Sequence, residues 1–344
     1  MNTKKSNIVL PAEWQAQSAV QLTWPHEGTD WAYMLDEVKR CFVAIAREVV
    51  KREQLIVVCP DVESVKRDLG CIDLSHIRFC PMETNDTWAR DHGGISVLKE
   101  GQPVVCDFVF NGWGMKFAAG LDNLITRRMF QQKVFDEKVS LESRLPFVLE
   151  GGSIDSDGEG TLLTTTSCLL SDNRNEYLKR AEIEMYLKEA FGLRRLLWLE
   201  HGYLAGDDTD GHVDTLARFC NSSTIAYVKC TDSSLEEYES LKRMEVELRS
   251  FRQIGGEPYT LIPLPMADKV EEEGRRLPAT YANFLILNGA VLLPFYGSEK
   301  DEIARAALQS VFTDREVIGV DCRPLIRQNG SLHCVTMQYP DSFV

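Results

Sequence analysis

Near the end of the chain, Cys334 lies in the run Gly330-Ser331-Leu332-His333-Cys334-Val335-Thr336-Met337-Gln338, after a Gly-Ser break and before a β-like Val-Thr-Met stretch. A thiol placed there is held at a strand edge rather than sunk in a helix, and its thiolate is a strong nucleophile. Three upstream motifs set an acid or a histidine beside glycine, just before an apolar run: Arg90-Asp91-His92-Gly93-Gly94, Leu149-Glu150-Gly151-Gly152-Ser153 and Asp210-Gly211-His212-Val213-Asp214. A thiol, a histidine and carboxylates together suit attack on a cationic, resonance-stabilised carbon. Taken singly, each has a plainer reading. A lone cysteine is more often an inert buried thiol, His212 fits a structural histidine beside glycine, and Asp91 fits an ion pair with Arg90.

The elements that must position these residues form a weak repeat: a helix, a strand, a glycine-containing polar segment, then two more strands. In the first unit Leu35, Val38, Phe42, Ile45 and Val49 follow three-four helical spacing behind Thr29 or Asp30 as cap. A strand is expected at 55–59, an inserted short helix at 62–69 with another strand, and closing strands at 95–98 and 104–110. The second unit has a helix at 121–134, a strand at 147–149 and a hairpin of 153–156 with 161–165 across Asp157-Gly158. The third has a helix at 176–191 and strands at 196–199, 213–219 and 224–228. The fourth has a helix at 235–251, a strand at 259–264 and a hairpin of 281–287 with 291–294 across Asn288-Gly289. The fifth has a helix at 303–312, a strand at 317–320 and the Cys334 strand, whose missing partner is expected at 20–24, closing a ring. On this repeat Asp91, Glu150, His212 and Cys334 all fall at the entrance to the second strand of their unit, where the fourth unit carries Tyr281 and Asn283. Units arranged around an axis would bring these positions into one pocket.

Composition narrows the chemistry. A chain of 344 residues is long enough for one large core or for two domains. The formal net charge of −14 disfavours a nucleic-acid partner and suits a small cationic substrate. The polar start followed by Ile8-Val9-Leu10-Pro11 is too short for a signal-peptide core, and no uncharged run reaches membrane-spanning length. The ten cysteines are scattered through apolar runs without Cys-x-x-Cys spacing, which reads as a reducing, cytoplasmic setting with no membrane contact. Metal binding by His212 and Asp214 lacks further ligands at suitable spacing, so no metal is expected.

Seven segments, in order along nearly the whole chain, carry a resemblance: Pro11-Ala12-Glu13-Trp14, Leu22-Thr23-Trp24-Pro25-His26, Asn85-Asp86-Thr87-Trp88-Ala89-Arg90-Asp91, Phe110-Asn111-Gly112-Trp113-Gly114, Leu149-Glu150-Gly151-Gly152, Gly211-His212-Val213-Asp214 and His333-Cys334-Val335-Thr336. With them the chain resembles the agmatine deiminases of the guanidino-group-modifying (pentein) superfamily. The resemblance implies a single α/β domain over 1–344, built as a five-bladed pseudo-symmetric α/β propeller. It implies hydrolysis of agmatine to N-carbamoylputrescine and ammonia in putrescine biosynthesis, with no cofactor. Self-association into a homo-oligomer stays open.

Within that resemblance the residues take roles. Asp91 and Asp214 bind the guanidinium through paired N–H bonds, with Trp88 as a flat neighbour. Cys334 attacks as thiolate, its charge supported by the bound cation. His212 protonates the leaving nitrogen and then activates water, leaving a thiouronium between the two steps, and Glu150 orients and charge-tunes His212. Phe110-Asn111-Gly112-Trp113-Gly114 shapes a wall or a turn, with Trp113 at the substrate. His92 and His333 point to opposite faces if their segments are extended and read as structural. Two positions depart from the family pattern: Met337 replaces a glutamine, and Asp208 stands where the family often has glutamate for the far amine of agmatine. The run Asp207-Asp208-Thr209-Asp210 is then either a solvated loop or the site of the substrate's second cation, which favours agmatine over arginine. The alternatives are a deiminase of peptidyl-arginine or free arginine, an amidinotransferase, and a catalytically inactive binder of cationic ligands.

Overall fold

A computed structural model describes residues 8–344; residues 1–7, part of the expected 1–344 unit, lie outside the described residues. The fold is mixed α/β. Strand β1 (Gln17–Thr23) is joined to β2 (Gln54–Cys59) by helix α1 (Leu35–Val50). A helical crossover permits parallel pairing, and β1 pairs in parallel with β2, Val20 opposite Leu55. The hairpin β3 (Ile95–Lys99) and β4 (Gln102–Val109) is followed by α2 (Ile125–Gln131) and β5 (Ser140–Val148). The same plan gives β6 (Ile154–Ser156), β7 (Thr161–Thr165), α3 (Arg180–Phe191) and β8 (Arg195–Leu199). It gives β9 (Ala217–Asn221), β10 (Thr224–Lys229), α4 (Tyr238–Ser250) and β11 (Thr260–Pro265). It then gives β12 (Leu285–Leu287), β13 (Ala290–Phe295), α5 (Lys300–Gln309) and β14 (Glu316–Asp321). In each, the hairpin is antiparallel and the strand after the helix is parallel to the hairpin's second strand.

The last strand, β15 (Thr336–Pro340), pairs antiparallel with β1, Thr336 opposite Leu22. This is the partner expected at 20–24, and it completes a fifth sheet of the same plan from the two ends of the chain. The frame of the repeat differs from expectation. Each helix and its strand belong with the hairpin before them, not with the strands after them. A crossover helix returns the chain beside the strand it has just left, so β-β-α-β is the closed unit.

Helix α1 buries the expected stripe of Val38, Phe42, Ile45 and Val49, while Leu35 is only half-buried. Neither Thr29 nor Asp30 caps it. A single 3-10 turn, Ala32–Met34, leads into the helix, and Thr29 Oγ1 donates to His26 O at 2.6 Å instead. Two other helices start later than their periodicity suggests because polar side chains capture the preceding segment. Asp122 accepts from the backbone N–H groups of Asn85 and Asp86, leaving a 3-10 turn before α2. Asn175 is tied to both N and O of Val148, so α3 begins at Arg180 rather than 176. Residues 213–215, expected as strand, form a helical turn ahead of β9, and only 285–287 of the expected 281–287 is strand. Among the described residues, no helix is long and apolar enough to cross a membrane.

Candidate active site

In all five sheets of this plan the segment just before the first hairpin strand carries a polar side chain. Asp91 sits in the one-turn helix Ala89–His92 ahead of β3. Glu150 precedes the turn Gly151–Ser153 and β6; His212 precedes the turn Val213–Thr215 and β9. Asn283 precedes β12, and Cys334 precedes β15. All five are buried.

They are brought together. Asp91 Oδ1 accepts from Gly152 N at 3.0 Å and Oδ2 from Trp113 Nε1 at 2.9 Å. His212 Nδ1 lies 3.6 Å from Asp91 Oδ1. Asn283 links Cys334 to Asp214. Its Oδ1 accepts from Cys334 Sγ at 3.4 Å and Cys334 N at 3.3 Å, while its Nδ2 donates to Asp214 O at 3.3 Å. Asp214 Oδ2 is 2.7 Å from His333 Nδ1, and its Oδ1 has no hydrogen-bond partner among the described residues. Closeness is enforced at Gly152, where a Cβ would fall 2.5 Å from His212 Nδ1 and 2.9 Å from Asp91 Oδ1.

A cleft reaches this cluster, lined by Cys334, Asp91, Trp88, Trp113 and, toward its mouth, Asp208, Asp86 and Asp30. The Trp88 ring has room because residue 330 is glycine; a Cβ there would lie 2.0 Å from Trp88 Cζ3. The segment Phe110-Asn111-Gly112-Trp113-Gly114 proves to be turn and wall at once. Gly112, Trp113 and Gly114 have φ of 70°, 55° and 80°, and the turn delivers the indole to Asp91. A bulky residue in the left-handed region is strained, and such strain persists only where its surroundings over-determine it.

The acidic run divides. Asp207 accepts from Thr209 and Gly211, forming a turn, and Asp210 pairs with Arg174 and Lys116. Asp208 lines the cleft, its Oδ2 accepting from Asn329 Nδ2 at 2.8 Å.

Electrostatics separate the groups. Burial would lower the His212 pKa, but Asp91, Cys168 and Glu150 outweigh it and hold it well above the usual histidine value. Burial raises Asp91, helped by Asp214 and Glu150 and opposed by His212. Burial also pushes Asp214 up, but His333 and His212 reverse this and leave it lowered. The Cys334 thiol is pushed well above its usual value by burial and by Asp214 and Asp91. At the mouth, burial raises Asp208 to about 6 and Asp86, beside Asp30, to about 7.

These features match a known family over nearly the whole chain. A sequence model of the Porphyromonas-type peptidyl-arginine deiminases matches residues 9–340. The chain belongs to this family. A Porphyromonas gingivalis structure, provisionally named an arginine deiminase, is 57% identical, with TM-score 0.95 over 98% of this chain and 99% of that one. A substrate-bound structure of a Cys-to-Ser variant of C. jejuni agmatine deiminase is 39% identical, with TM-score 0.91 over 97% of this chain and 96% of that one. The agmatine deiminase of Stutzerimonas stutzeri is 31% identical over 98% of its own length and 99% of this chain.

The geometry refines three details around these residues. The plainer alternative for Asp91, an ion pair with Arg90, is not formed; Arg90 Nη2 lies 3.9 Å from Glu13 Oε2. Glu150 makes no direct hydrogen bond to His212 but raises its pKa through charge, while both Glu150 oxygens accept from Arg174 Nε at 3.0 Å. His333, read as structural, is hydrogen-bonded to Asp214, whereas His92 packs away against Thr23 Oγ1 at 3.3 Å. Sequence reasoning missed Cys168 and Arg174 as neighbours of the site and gave Asn283 a place in the repeat but no role. Asn283 had a signal, being the repeat-equivalent of Cys334. Cys168 and Arg174 lie in the stretch between β7 and α3, outside the repeat. Glu150, Cys168 and His212 bring one donor atom each within 4.8 Å of one another, a spacing that could hold a metal. Arg174 occupies the Glu150 carboxylate in a buried ion pair, so the trio is organised around a guanidinium rather than as an open ligand set.

Proposed function

We propose that this chain is an agmatine deiminase, converting agmatine and water to N-carbamoylputrescine and ammonia. The observation that carries the reading is the lining of the cleft: Cys334 and Asp91 at its base, Asp208, Asp86 and Asp30 toward its mouth, and neither lysine nor arginine among the lining residues. A dication with a guanidinium at one end and an ammonium at the other suits that distribution, while the carboxylate of free arginine does not.

The guanidinium donates N–H bonds to Asp91 and to Asp214 Oδ1, with Trp88 and Trp113 as flat walls. Its charge offsets the two carboxylates that hold the thiol protonated, so binding helps to create the Cys334 thiolate. The thiolate adds to the guanidino carbon. His212, as imidazolium, gives its proton to one terminal nitrogen, the C–N bond breaks and ammonia leaves. The residual S-alkyl thiouronium is attacked by water that His212, now neutral, deprotonates; the C–S bond breaks and Cys334 is restored. Glu150 acts on His212 through charge, held in place by Arg174. Each step uses side chains and water alone. The Cys-to-Ser substitution in the substrate-bound C. jejuni relative is consistent with a nucleophilic cysteine.

The same reading places the five β-β-α-β sheets around an axis as a five-bladed propeller acting as one domain over 1–344. It is supported by the pairing of the two chain ends and by the meeting of repeat-equivalent residues. It also assigns the enzyme to the cytoplasm and to putrescine biosynthesis, with homo-oligomer formation left to light scattering. The family model and the P. gingivalis neighbour favour a second reading, deimination of arginine or peptidyl-arginine. Ammonia release from agmatine, free arginine and a blocked arginine peptide, offered separately, decides between them. Release from agmatine alone is expected, and preferential turnover of either arginine substrate would replace the agmatine reading.

A further inference from the structure

The motif Pro11-Ala12-Glu13-Trp14 and the histidine beside Cys334 carry no part of the reaction above, yet they meet inside the molecule. Glu13 is buried; its Oε1 accepts from Ile286 N at 2.7 Å and its Oε2 from Arg218 Nη2 at 2.7 Å. The same Oε2 lies 2.8 Å from His333 Nε2, and His333 Nδ1 lies 2.7 Å from Asp214 Oδ2. His333 is therefore gripped by a carboxylate at each end. An ionised carboxylate only accepts hydrogen bonds, so satisfying both contacts requires both ring nitrogens to carry protons. The surrounding charges agree. Arg218 and Arg90 lie around Glu13, and Asp155 faces Arg218 at 3.5 Å. On its other side Asp214 is influenced by His212, and it in turn acts on Asp91 and Cys334. Three carboxylates, Glu13, Asp155 and Asp214, face two arginines; a cationic His333 balances them. Glu13, Arg90 and His333 border a separate small cavity of about 60 Å³, whereas their neighbours Asp91 and Cys334 line the substrate cleft.

We propose that His333 is a positioning residue: as a buried imidazolium anchored by Glu13, it keeps Asp214 ionised and occupies Oδ2, leaving Oδ1 to receive the guanidinium. This deepens the deiminase reading and rests on it. It also explains how two neighbouring acids divide their tasks. Asp214, hydrogen-bonded to His333, is held below the usual carboxylate range despite burial, while Asp91, raised by burial, has its histidine neighbour His212 farther off at 3.6 Å, too weak to reverse that rise. Asp214 is thus the permanent anion of the pair.

The sign of the pH effect follows. A carboxylate with a lowered folded-state pKa keeps its charge as pH falls, and removing the neighbouring cation raises that pKa. His333→Asn keeps a donor near the Nδ1 position but carries no charge. It should move the acid limb of kcat/KM to higher pH than in wild type and lower kcat/KM by about 10- to 100-fold near pH 6, less at pH 8, chiefly through KM. A folded His333→Asn protein with an unmoved acid limb and unchanged KM overturns the proposal. The second measurement does not depend on turnover or on the variant's stability. In nitrogen-15 histidine NMR of the wild-type protein, with the other five histidines assigned by single substitutions, His333 should show both ring nitrogens protonated at the pH of turnover, as its two carboxylate contacts require. A single neutral tautomer at that pH overturns the proposal even if agmatine is turned over. A doubly protonated ring together with inactivity on agmatine would uphold the relay and refute only the substrate.

Discussion

The chemistry at the base of the cleft depends on groups whose charges are set by one another. Asp91, His212 and Gly152 meet so closely that no methyl group fits between them, since the Cβ of an alanine at 152 would lie within hydrogen-bonding distance of both side chains. Gly152→Ala should displace the imidazole from Asp91 and lower kcat by about 100-fold, in line with the loss that a misplacement of about 1 Å causes at a catalytic site. Steady-state kinetics on a variant with native circular dichroism checks this; near-wild-type kcat would mean that the His212–Asp91 contact is dispensable. At the mouth, Asp208 carries a pKa raised to about 6, so its charge is lost as pH falls through that value. A neutral Asp208 no longer attracts an ammonium. Because kcat/KM reports the free enzyme, its value for agmatine should fall below pH 6 more steeply than for a guanidine with an uncharged tail. Asp208→Asn should remove that difference, and pH profiles with the two substrates measure it. Equal profiles for both substrates in the wild type would return Asp208 to a loop-supporting role.

At the scale of elements, the site depends on segments that are neither helix nor strand. Arg174, in the stretch between β7 and α3, donates Nε to both oxygens of Glu150, while its Nη groups reach Ser171, Asp210 and Thr209 O. It pins three loops around His212. Arg174→Ala strands a buried carboxylate, and removing one partner of a buried pair costs about 3–5 kcal/mol. Urea unfolding should show a loss of that size, with activity falling too because His212 and Glu150 are no longer held. A loss under about 1 kcal/mol would mean that water or relaxation replaces the guanidinium. This segment also marks where sequence reading stops. The helix periodicity around 176–191 was legible, but Asn175 and Arg174 are diverted to Val148 and Glu150, and no local pattern announces a contact 24 to 27 residues away. The apolar stripe of α1 and both turn-linked hairpins were legible because periodicity and Asp-Gly or Asn-Gly turns are local signals. The cap of α1 was not, because Thr29 found a nearer acceptor in His26.

At the scale of the whole molecule, the pairing of β15 with β1 brings Cys334 back to the beginning of the chain, so residues from all five sheets can meet. The repeat made that meeting legible: Asp91, Glu150, His212 and Cys334 occupy equivalent positions, and Asn283 fills the fifth. What the repeat could not supply was the layer behind them. Glu13, Arg218 and His333 form a buried charge cluster whose members come from opposite ends and the middle of the sequence. The reaction assigned to this molecule requires one covalent event, the bond from Cys334 sulfur to the guanidino carbon. Rapid acid quenching of the protein during turnover of agmatine, followed by peptide mass spectrometry, tests that event directly. The Cys334 peptide should carry the mass of agmatine less ammonia, the adduct should vanish in Cys334→Ala, and that variant should stay folded and release no ammonia. Undiminished ammonia release by a folded Cys334→Ala protein, with no adduct on Cys334 in the wild type, would contradict covalent catalysis at this residue.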